Sequence, residues 1–156
     1  LAALLHDVTK EMNQDSLVSK YGITLTDDDK KSPETLHALT AVPYILENFS
    51  GFASEEILTA IKTHTTGDEN MSTLSKILFV ADYVEEGRRY SSSTELRNLL
   101  YSELDASRNK EEALAALDRA VVASIDYTLA HLESCGSFIH PKTRLTREAV
   151  LRMTED

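Results

Sequence analysis

The stretch LAALLHDVTKEM at residues 1–12 places an adjacent histidine and aspartate, His6 and Asp7, inside an apolar pattern. Its leucines, valine and methionine recur at spacings close to i, i+3, i+4 and i+7, which predicts a helix over the whole stretch. The two polar side chains would lie about 100° apart on that helix, so both can reach one ion in a crevice between helices. Because the apolar pattern already includes Leu1, we expect this helix to begin upstream of that residue.

Helix start and stop signals mark the rest of the chain. Serine, proline and acidic residues stand where helices begin, as at Ser32-Pro33-Glu34, and glycines stand where they end. We expect Pro43 to kink or break its helix and the charged run 24–31 to be an exposed loop. No alternating apolar pattern indicates a strand, so the sequence predicts one all-α domain, a helical bundle over residues 1–156. The helices expected after the first span 15–21, 33–49, 54–67, 72–87, 93–104, 111–134 and 146–153.

The charge of the protein limits its classes of partner. Sixteen basic and 26 acidic residues give a net charge of −10. This balance argues against a nonspecific nucleic-acid binder, because such proteins need a positive surface. An acidic protein also repels phosphate substrates, unless bound metal cations supply positive charge at the site.

The single cysteine, Cys135, excludes an internal disulfide and favours a reducing compartment, the cytoplasm. We expect this thiol to pack against the protein interior rather than to react. No apolar run approaches the roughly 20 residues of a membrane span, and no signal peptide is visible. We therefore expect no association with a membrane.

Three of the five histidines form one arrangement with two aspartates. His6-Asp7, His37, His64 and Asp82 lie on successive predicted helices with apolar stripes, so all can project into one bundle core. Imidazole nitrogens and carboxylate oxygens together suit iron, manganese, zinc or cobalt, whereas calcium prefers oxygen ligands alone. A single histidine on an apolar face is more often a packed, hydrogen-bonded residue, so it is the combination that indicates a metal site.

This combination resembles the HD-domain phosphohydrolases. Four strings resemble one branch of them, the YqeK-like symmetrical bis(5′-nucleosyl)-tetraphosphatases: AALLHDVTKE at 2–11, THTTG at 63–67, LSKILFVADYVEEGRR at 74–89 and FIHPKT at 138–143. The resemblance implies an HD-domain bundle in which His6, Asp7 and Asp82 bind a metal, iron in the first place and manganese, cobalt or zinc otherwise. It also implies a further histidine ligand on an upstream helix, which this sequence does not contain.

The resemblance leaves two roles open for His37 and His64. They would bind a second metal in a binuclear site, or hold phosphate oxygens beside a single metal. Family members often have a glycine after the first of these histidines, but here Ala38-Leu39-Thr40 follows. We interpret Thr40 as a substrate contact.

Basic residues and one late segment complete the predicted substrate site. Lys10 is expected to touch phosphate or the attacking water, although an exposed lysine is an equal alternative. Arg88 offers a forked donor that matches phosphate, whereas Arg89 and His131 are expected to have no role. The late segment resembles a nucleotide-contacting element, although its proline could equally just end a turn. Its residues are Phe138, Ile139, His140, Pro141, Lys142 and Thr143.

The activity that the resemblance implies is hydrolysis of diadenosine tetraphosphate to two ADP, with Asp7 orienting the attacking hydroxide. Two alternatives stay open: an HD phosphohydrolase that acts on another nucleotide, and an inactive helical module that binds a nucleotide or a protein. The predicted helix 111–134 has apolar residues on more than one face. This pattern suggests a homodimer, although packing within one core explains it equally well.

Overall fold

The computed structural model describes residues 1–155, and within them the chain forms nine α-helices and no strand. Two short 3-10 turns, Pro33–Thr35 and Ser50–Phe52, flank the fourth helix. The predicted all-α class is confirmed. The helices are α1 (Ala2–Leu5), α2 (Gln14–Tyr21), α3 (Asp27–Lys31), α4 (Leu36–Asn48), α5 (Glu55–Thr63), α6 (Thr73–Val84), α7 (Ser91–Ala106), α8 (Lys110–Ser134) and α9 (Pro141–Glu155).

Capping side chains explain where most of the longer helices begin. Asn13, Ser54, Ser72 and Asn109 each accept a hydrogen bond from a backbone N–H in the first turn of the helix that follows. Each therefore satisfies one of the N–H groups that a helix start leaves without a partner. At the other end of α2, Gly22 adopts φ of 62°, a left-handed conformation that glycine accepts without steric cost.

Helix α6 joins the two hydrophobic cores of the domain. Leu78 packs with Ala41, Ile45 and Ile61 in a first core built from α1, α4, α5 and α6. On another face of the same helix, Val80 packs in a second core with α7, α8 and α9. The last turn of α6 lies beside the second core, in which Val84 is buried.

The long helix α8 packs against α6, α7 and α9. The apolar residues that suggested a dimer are all buried or half-buried within this one chain: Leu114, Leu117, Val121, Val122, Ile125, Leu129 and Leu132. Packing within the domain thus accounts for the apolar faces, and the homodimer stays an untested prediction. Among the described residues, no helix combines the length and apolar character that crossing a membrane requires.

The predicted helix over residues 1–12 is wrong beyond Leu5, because the chain turns tightly from residue 6 onward. Tertiary hydrogen bonds compete with the helix there. The hydroxyl of the fully buried Thr9 donates to the carbonyl of His37 at 3.0 Å. The amide of Gln14 donates to the carbonyl of Thr9 at 2.6 Å. These bonds fix the segment that carries His6 and Asp7 against α4.

Several other local expectations are also wrong. The run 24–31 is not all loop, because a capping box between Thr26 and Asp29 starts the short helix α3. Pro43 does not break α4, which runs through it, and the kink that was the other expectation stays a prediction. The last helix begins at Pro141 rather than near residue 146, with proline at its first position. Cys135 is exposed, so it does not pack in the interior.

Candidate metal centre and substrate cavity

Three histidines are held in one tautomer by the backbone. In each of them Nδ1 lies close to the carbonyl oxygen three residues earlier: 2.8 Å for His6, 2.8 Å for His37 and 2.6 Å for His64. Since a carbonyl only accepts, Nδ1 carries the proton and Nε2 keeps a free lone pair. This is the arrangement that orients histidines for metal binding.

The free nitrogens converge on Asp7. The Nε2 atoms of His37 and His64 lie 3.1 Å from each other, and Oδ1 of Asp7 lies 3.1 Å and 3.5 Å from them. That oxygen is buried and has no hydrogen-bond partner among the described residues. Two lone pairs and an anionic oxygen at such distances repel one another unless a cation lies among them.

The donor set fits a divalent metal ion. Ligand atoms of His6, Asp7 and His64 all lie within 4.8 Å of one another, and Oδ1 of Asp82 lies 3.6 Å from Nε2 of His6. A mixture of imidazole and carboxylate ligands suits iron, manganese, cobalt or zinc. The structure therefore brings His6, Asp7 and Asp82, the three predicted metal ligands, together with His64.

Cationic side chains hold the two carboxylates in place. Nζ of Lys10 lies 2.7 Å from Oδ2 of Asp7. A guanidinium nitrogen of Arg88 donates to both oxygens of Asp82, at 2.9 Å and 2.8 Å. Arg97 in turn donates to the carbonyl of Val84 at the end of α6, and so fixes the turn that carries Arg88. The Lys10 side chain is 45% exposed, so its expected contact with phosphate or water stays a prediction. Arg97 was missed because nothing near it in the sequence indicates this contact.

The environment keeps the buried imidazoles neutral. Burial lowers the pKa of His64 to about 4 and also lowers the pKa of His37. The Asp82 carboxylate raises the pKa of His6 more than burial lowers it. Burial by itself raises the pKa of Asp7 and Asp82, but the neighbouring cations outweigh it and lower the pKa of both carboxyls. His37 and His64 as neutral imidazoles, and both aspartates as ionised carboxylates, are therefore in the forms that bind metal, whereas His6 must lose a more tightly held proton to do so.

A cavity of about 280 Å³ leads from this cluster to the segment 138–143. Its lining includes Lys10 and Arg88 on the side of the metal centre. Six of the predicted substrate contacts line it, and they are His37, His64, Arg88, Phe138, His140 and Thr143. Nζ of Lys31 lies 5.2 Å from the centre of the Phe138 ring, which brings α3 over the far end of the cavity.

The hydrogen bonds of His140 are opposite to those of His6, His37 and His64. Its Nδ1 accepts from the backbone N–H of Lys142 at 3.2 Å, and its Nε2 lies 3.3 Å from Oδ1 of Asp29. The proton is therefore on Nε2, where it points to a carboxylate. His140 therefore links the cavity lining to α3 through a hydrogen bond. Both of its ring nitrogens are in use, so neither has a free lone pair for a metal.

Four of the predicted substrate contacts do not line this cavity. Thr40 has no exposed surface and bonds to Thr9 and Gln14, so it supports the site without reaching the cavity. Ile139 packs against the second core. Pro141 and Lys142 are exposed and do not line the cavity.

Other cavity residues were missed by sequence reasoning. Thr66 and Tyr83 line the cavity beside the predicted His64 and Asp82, and proximity to those motif residues could have found them. Thr128 also lines it, but it lies in the middle of α8, where no local signal distinguishes it. Arg89 is exposed, as expected.

The arrangement of histidines and aspartates agrees with a match to a known family model. The model of the HD domain matches residues 1–87, which include all of the candidate metal ligands. The fold and the site thus define the class of protein: this chain is an HD-domain protein.

Comparison with individual proteins identifies the branch of that class. Symmetrical bis(5′-nucleosyl)-tetraphosphatases of Halalkalibacterium halodurans and Bacillus subtilis are each 31% identical to this chain, over 97% and 94% of its length and 74% and 72% of theirs. A Clostridium acetobutylicum protein, described as a predicted HD superfamily hydrolase involved in NAD metabolism, has a crystal structure that superimposes with a TM-score of 0.79. It is 30% identical, and the match covers 97% of this chain and 75% of that one. The chain belongs to the symmetrical bis(5′-nucleosyl)-tetraphosphatase family.

Proposed function

We propose that this protein hydrolyses diadenosine tetraphosphate symmetrically, to two molecules of ADP, at the centre formed by His6, Asp7, His64 and Asp82. The observation that carries the proposal is the buried Oδ1 of Asp7, which faces two imidazole lone pairs at the end of a cavity. The names of the relatives supply the substrate class, and the donor set supplies the type of chemistry.

The metal that we propose is iron, since the resemblance to the family favours it and the mixed nitrogen and oxygen ligands suit it. When bound, it supplies a water of lowered pKa and positive charge for the phosphates. The role of His37 separates a one-metal from a two-metal site. Nε2 of His37 lies 3.1 Å from Oδ1 of Asp7, close enough for both to contact one ion. Two metal ions per protein would assign His37 to a second ion, whereas one ion per protein would assign it to phosphate.

Asp7, Lys10 and Arg88 have separate roles in the proposed hydrolysis. Asp7, kept ionised by Lys10, orients the attacking water and accepts its proton. The water oxygen forms a bond to one of the two central phosphorus atoms, and the bond from that atom to the bridging oxygen breaks, with the electron pair leaving on the second ADP. Lys10 and Arg88 offset the charge that builds up on the phosphate oxygens.

The cellular setting that we propose is the cytoplasm, supported by the single cysteine. The net charge of −10 supports a protein that does not bind nucleic acid. A homodimer is compatible with these properties, and its test is the mass of the protein in solution.

The test of the activity is an assay of the metal-loaded protein with diadenosine tetraphosphate, with separation of the nucleotide products. We expect ADP as the product, and we expect Asp7→Asn to abolish its release. Asp105→Asn, which changes an exposed aspartate in α7, should leave activity unchanged. Formation of AMP and ATP would contradict symmetrical cleavage, and full activity in Asp7→Asn would contradict the proposed centre.

A further inference from the structure

A second cavity, of about 310 Å³, meets the substrate cavity at three side chains. Tyr83, Arg88 and Thr128 line both cavities, so the two adjoin beside the arginine that holds Asp82. The second cavity lies between the end of α6, the start of α7 and the middle of α8. Apart from Arg88, none of its lining residues is a predicted site residue or takes part in the proposed hydrolysis.

The lining of the second cavity is rich in aromatic rings. Three of the six tyrosines of the protein line it: Tyr83, Tyr90 and Tyr127. The rings of Tyr83 and Tyr127 are parallel to within 10°, with centroids 6.5 Å apart. Tyr90 is 69% exposed at the start of α7, so most of its ring is free to contact a ligand. Nucleobases stack on aromatic faces of this kind regardless of their identity.

The polar lining of the second cavity also suits a nucleotide. The hydroxyls of Tyr83 and Ser92 lie 3.0 Å apart at its wall, and His131 and Arg88 add nitrogen donors. None of its lining residues in the described part of the chain is acidic, although the protein as a whole carries a net charge of −10. An anionic ligand therefore meets less repulsion here than over most of the surface.

The proposed substrate carries a nucleoside at each end, so a second place of this kind suits it. Symmetrical cleavage divides the substrate into two equal halves, each a nucleoside diphosphate. If one half extends from the metal centre toward Phe138 and Thr143, the other half must leave the scissile bond in a different direction. Arg88 stands at the junction of the two cavities, where it can neutralise phosphate that passes between them.

We propose that the cavity lined by Tyr83, Tyr90 and Tyr127 binds the second nucleoside of the dinucleotide. The inference rests on the proposed function. It makes the cavity a specificity site, which distinguishes a substrate with a nucleoside at both ends of the tetraphosphate from one with a nucleoside at a single end.

The experiment compares two substrates of the metal-loaded protein: diadenosine tetraphosphate and adenosine 5′-tetraphosphate, which has the same phosphate chain and one nucleoside. The quantity measured is the ratio of kcat/KM for the first to kcat/KM for the second. We expect Tyr127→Ala to lower this ratio about 5- to 150-fold, the range for loss of one base-stacking ring. Tyr127→Phe keeps the ring and should keep the ratio.

Tyr101→Ala serves as the matched control, because this tyrosine is exposed on α7 and lines neither cavity. It should not change the ratio. Should Tyr127→Ala fail to fold, Tyr90→Ala repeats the test at an exposed ring outside the core, and the ratio must fall there as well. If the ratio of the two kcat/KM values is unchanged in the folded variants, the proposed nucleoside subsite is wrong, even when wild-type protein cleaves the dinucleotide. Failure of wild-type protein to cleave the dinucleotide at all would instead overturn the proposed function.

Discussion

The two ends of the substrate cavity use the same residue type in opposite ways. At the metal end, His6, His37 and His64 give the Nδ1 proton to a backbone carbonyl and turn a bare Nε2 toward Asp7. At the far end, His140 receives a backbone N–H at Nδ1 and points Nε2 to the carboxylate of Asp29. The comparison shows that the partner of one ring nitrogen decides whether a buried histidine offers a metal a lone pair or joins two elements of the fold.

The largest expected effect follows from removing one of the bare nitrogens. We expect His64→Gln to lower kcat on diadenosine tetraphosphate by about 10³-fold or more, because a ligand to the proposed metal is lost. His140→Gln is the matched change at the other end, and loss of one hydrogen bond there should cost about tenfold or less. Kinetics together with metal analysis of both purified proteins make the comparison. If both variants lost the same amount of metal, His64 and His140 would not have the different roles described here.

The next effect concerns the backbone after His64. Gly67 adopts φ of 73°, and a Cβ atom there would lie 2.5 Å from a methyl carbon of Thr146 on α9. We expect Gly67→Ala to lower the free energy of unfolding by about 2–4 kcal/mol, from the left-handed backbone and the overlap together. Gly51→Ala is the control, because its Cβ would meet no atom within 4 Å and its φ lies outside the left-handed range. Denaturant titration measures both, and equal stabilities would show that the loop repacks freely.

A smaller effect is expected at the arginine between the two cavities. Arg88→Ala removes the contacts to both oxygens of Asp82 and one phosphate donor, so we expect kcat/KM to fall about 10- to 100-fold, as for partners that orient metal ligands. The adjacent Arg89 is exposed, and Arg89→Ala should change kcat/KM by less than about twofold. An equal fall in both variants would indicate general charge attraction rather than a placed side chain.

The smallest effect is a dependence of stability on pH in the metal-free protein. The pKa of His64 is about 4 in the fold, below its ordinary value of 6.5. The unfolded chain therefore binds more protons than the folded chain between these values, and acidification through that window destabilises the fold. Between pH 7 and pH 5.5 the protonation of His64 lowers the free energy of unfolding by about 1 kcal/mol. His64→Gln should flatten the dependence by this amount, whereas His131→Gln, at an exposed position, should not.

Sequence reasoning reached the parts of the site that local patterns encode. His6, Asp7 and Asp82 lie in recognisable strings, and apolar periodicity with capping residues located most of the helices. Lys10 lies beside Asp7 because it follows that residue by three positions, and this spacing brings the two side chains together in a tight turn as well as in a helix.

Other parts depend on contacts between residues far apart in the chain. The turns after Leu5 are set by bonds from Thr9 and Gln14, one of which crosses to α4, and these override the helical pattern. Thr40 has a hydroxyl that could contact a substrate, but the fold buries its side chain completely. The second cavity forms only when the end of α6 meets Tyr127 in the middle of α8, and nothing in either segment alone indicates it.

Histidine nitrogen spectra test the central claim most directly. In metal-free protein with ¹⁵N-labelled histidine at pH 8, each imidazole reports which nitrogen carries the proton, and glutamine variants assign the five residues. We expect the proton of His6, His37 and His64 on Nδ1 and that of His140 on Nε2. Addition of diamagnetic zinc should then shift Nε2 of His6 and His64 and leave His140 unchanged. A proton on Nε2 of His6 and His64, or a zinc response at His140 alone, would contradict the metal centre described above.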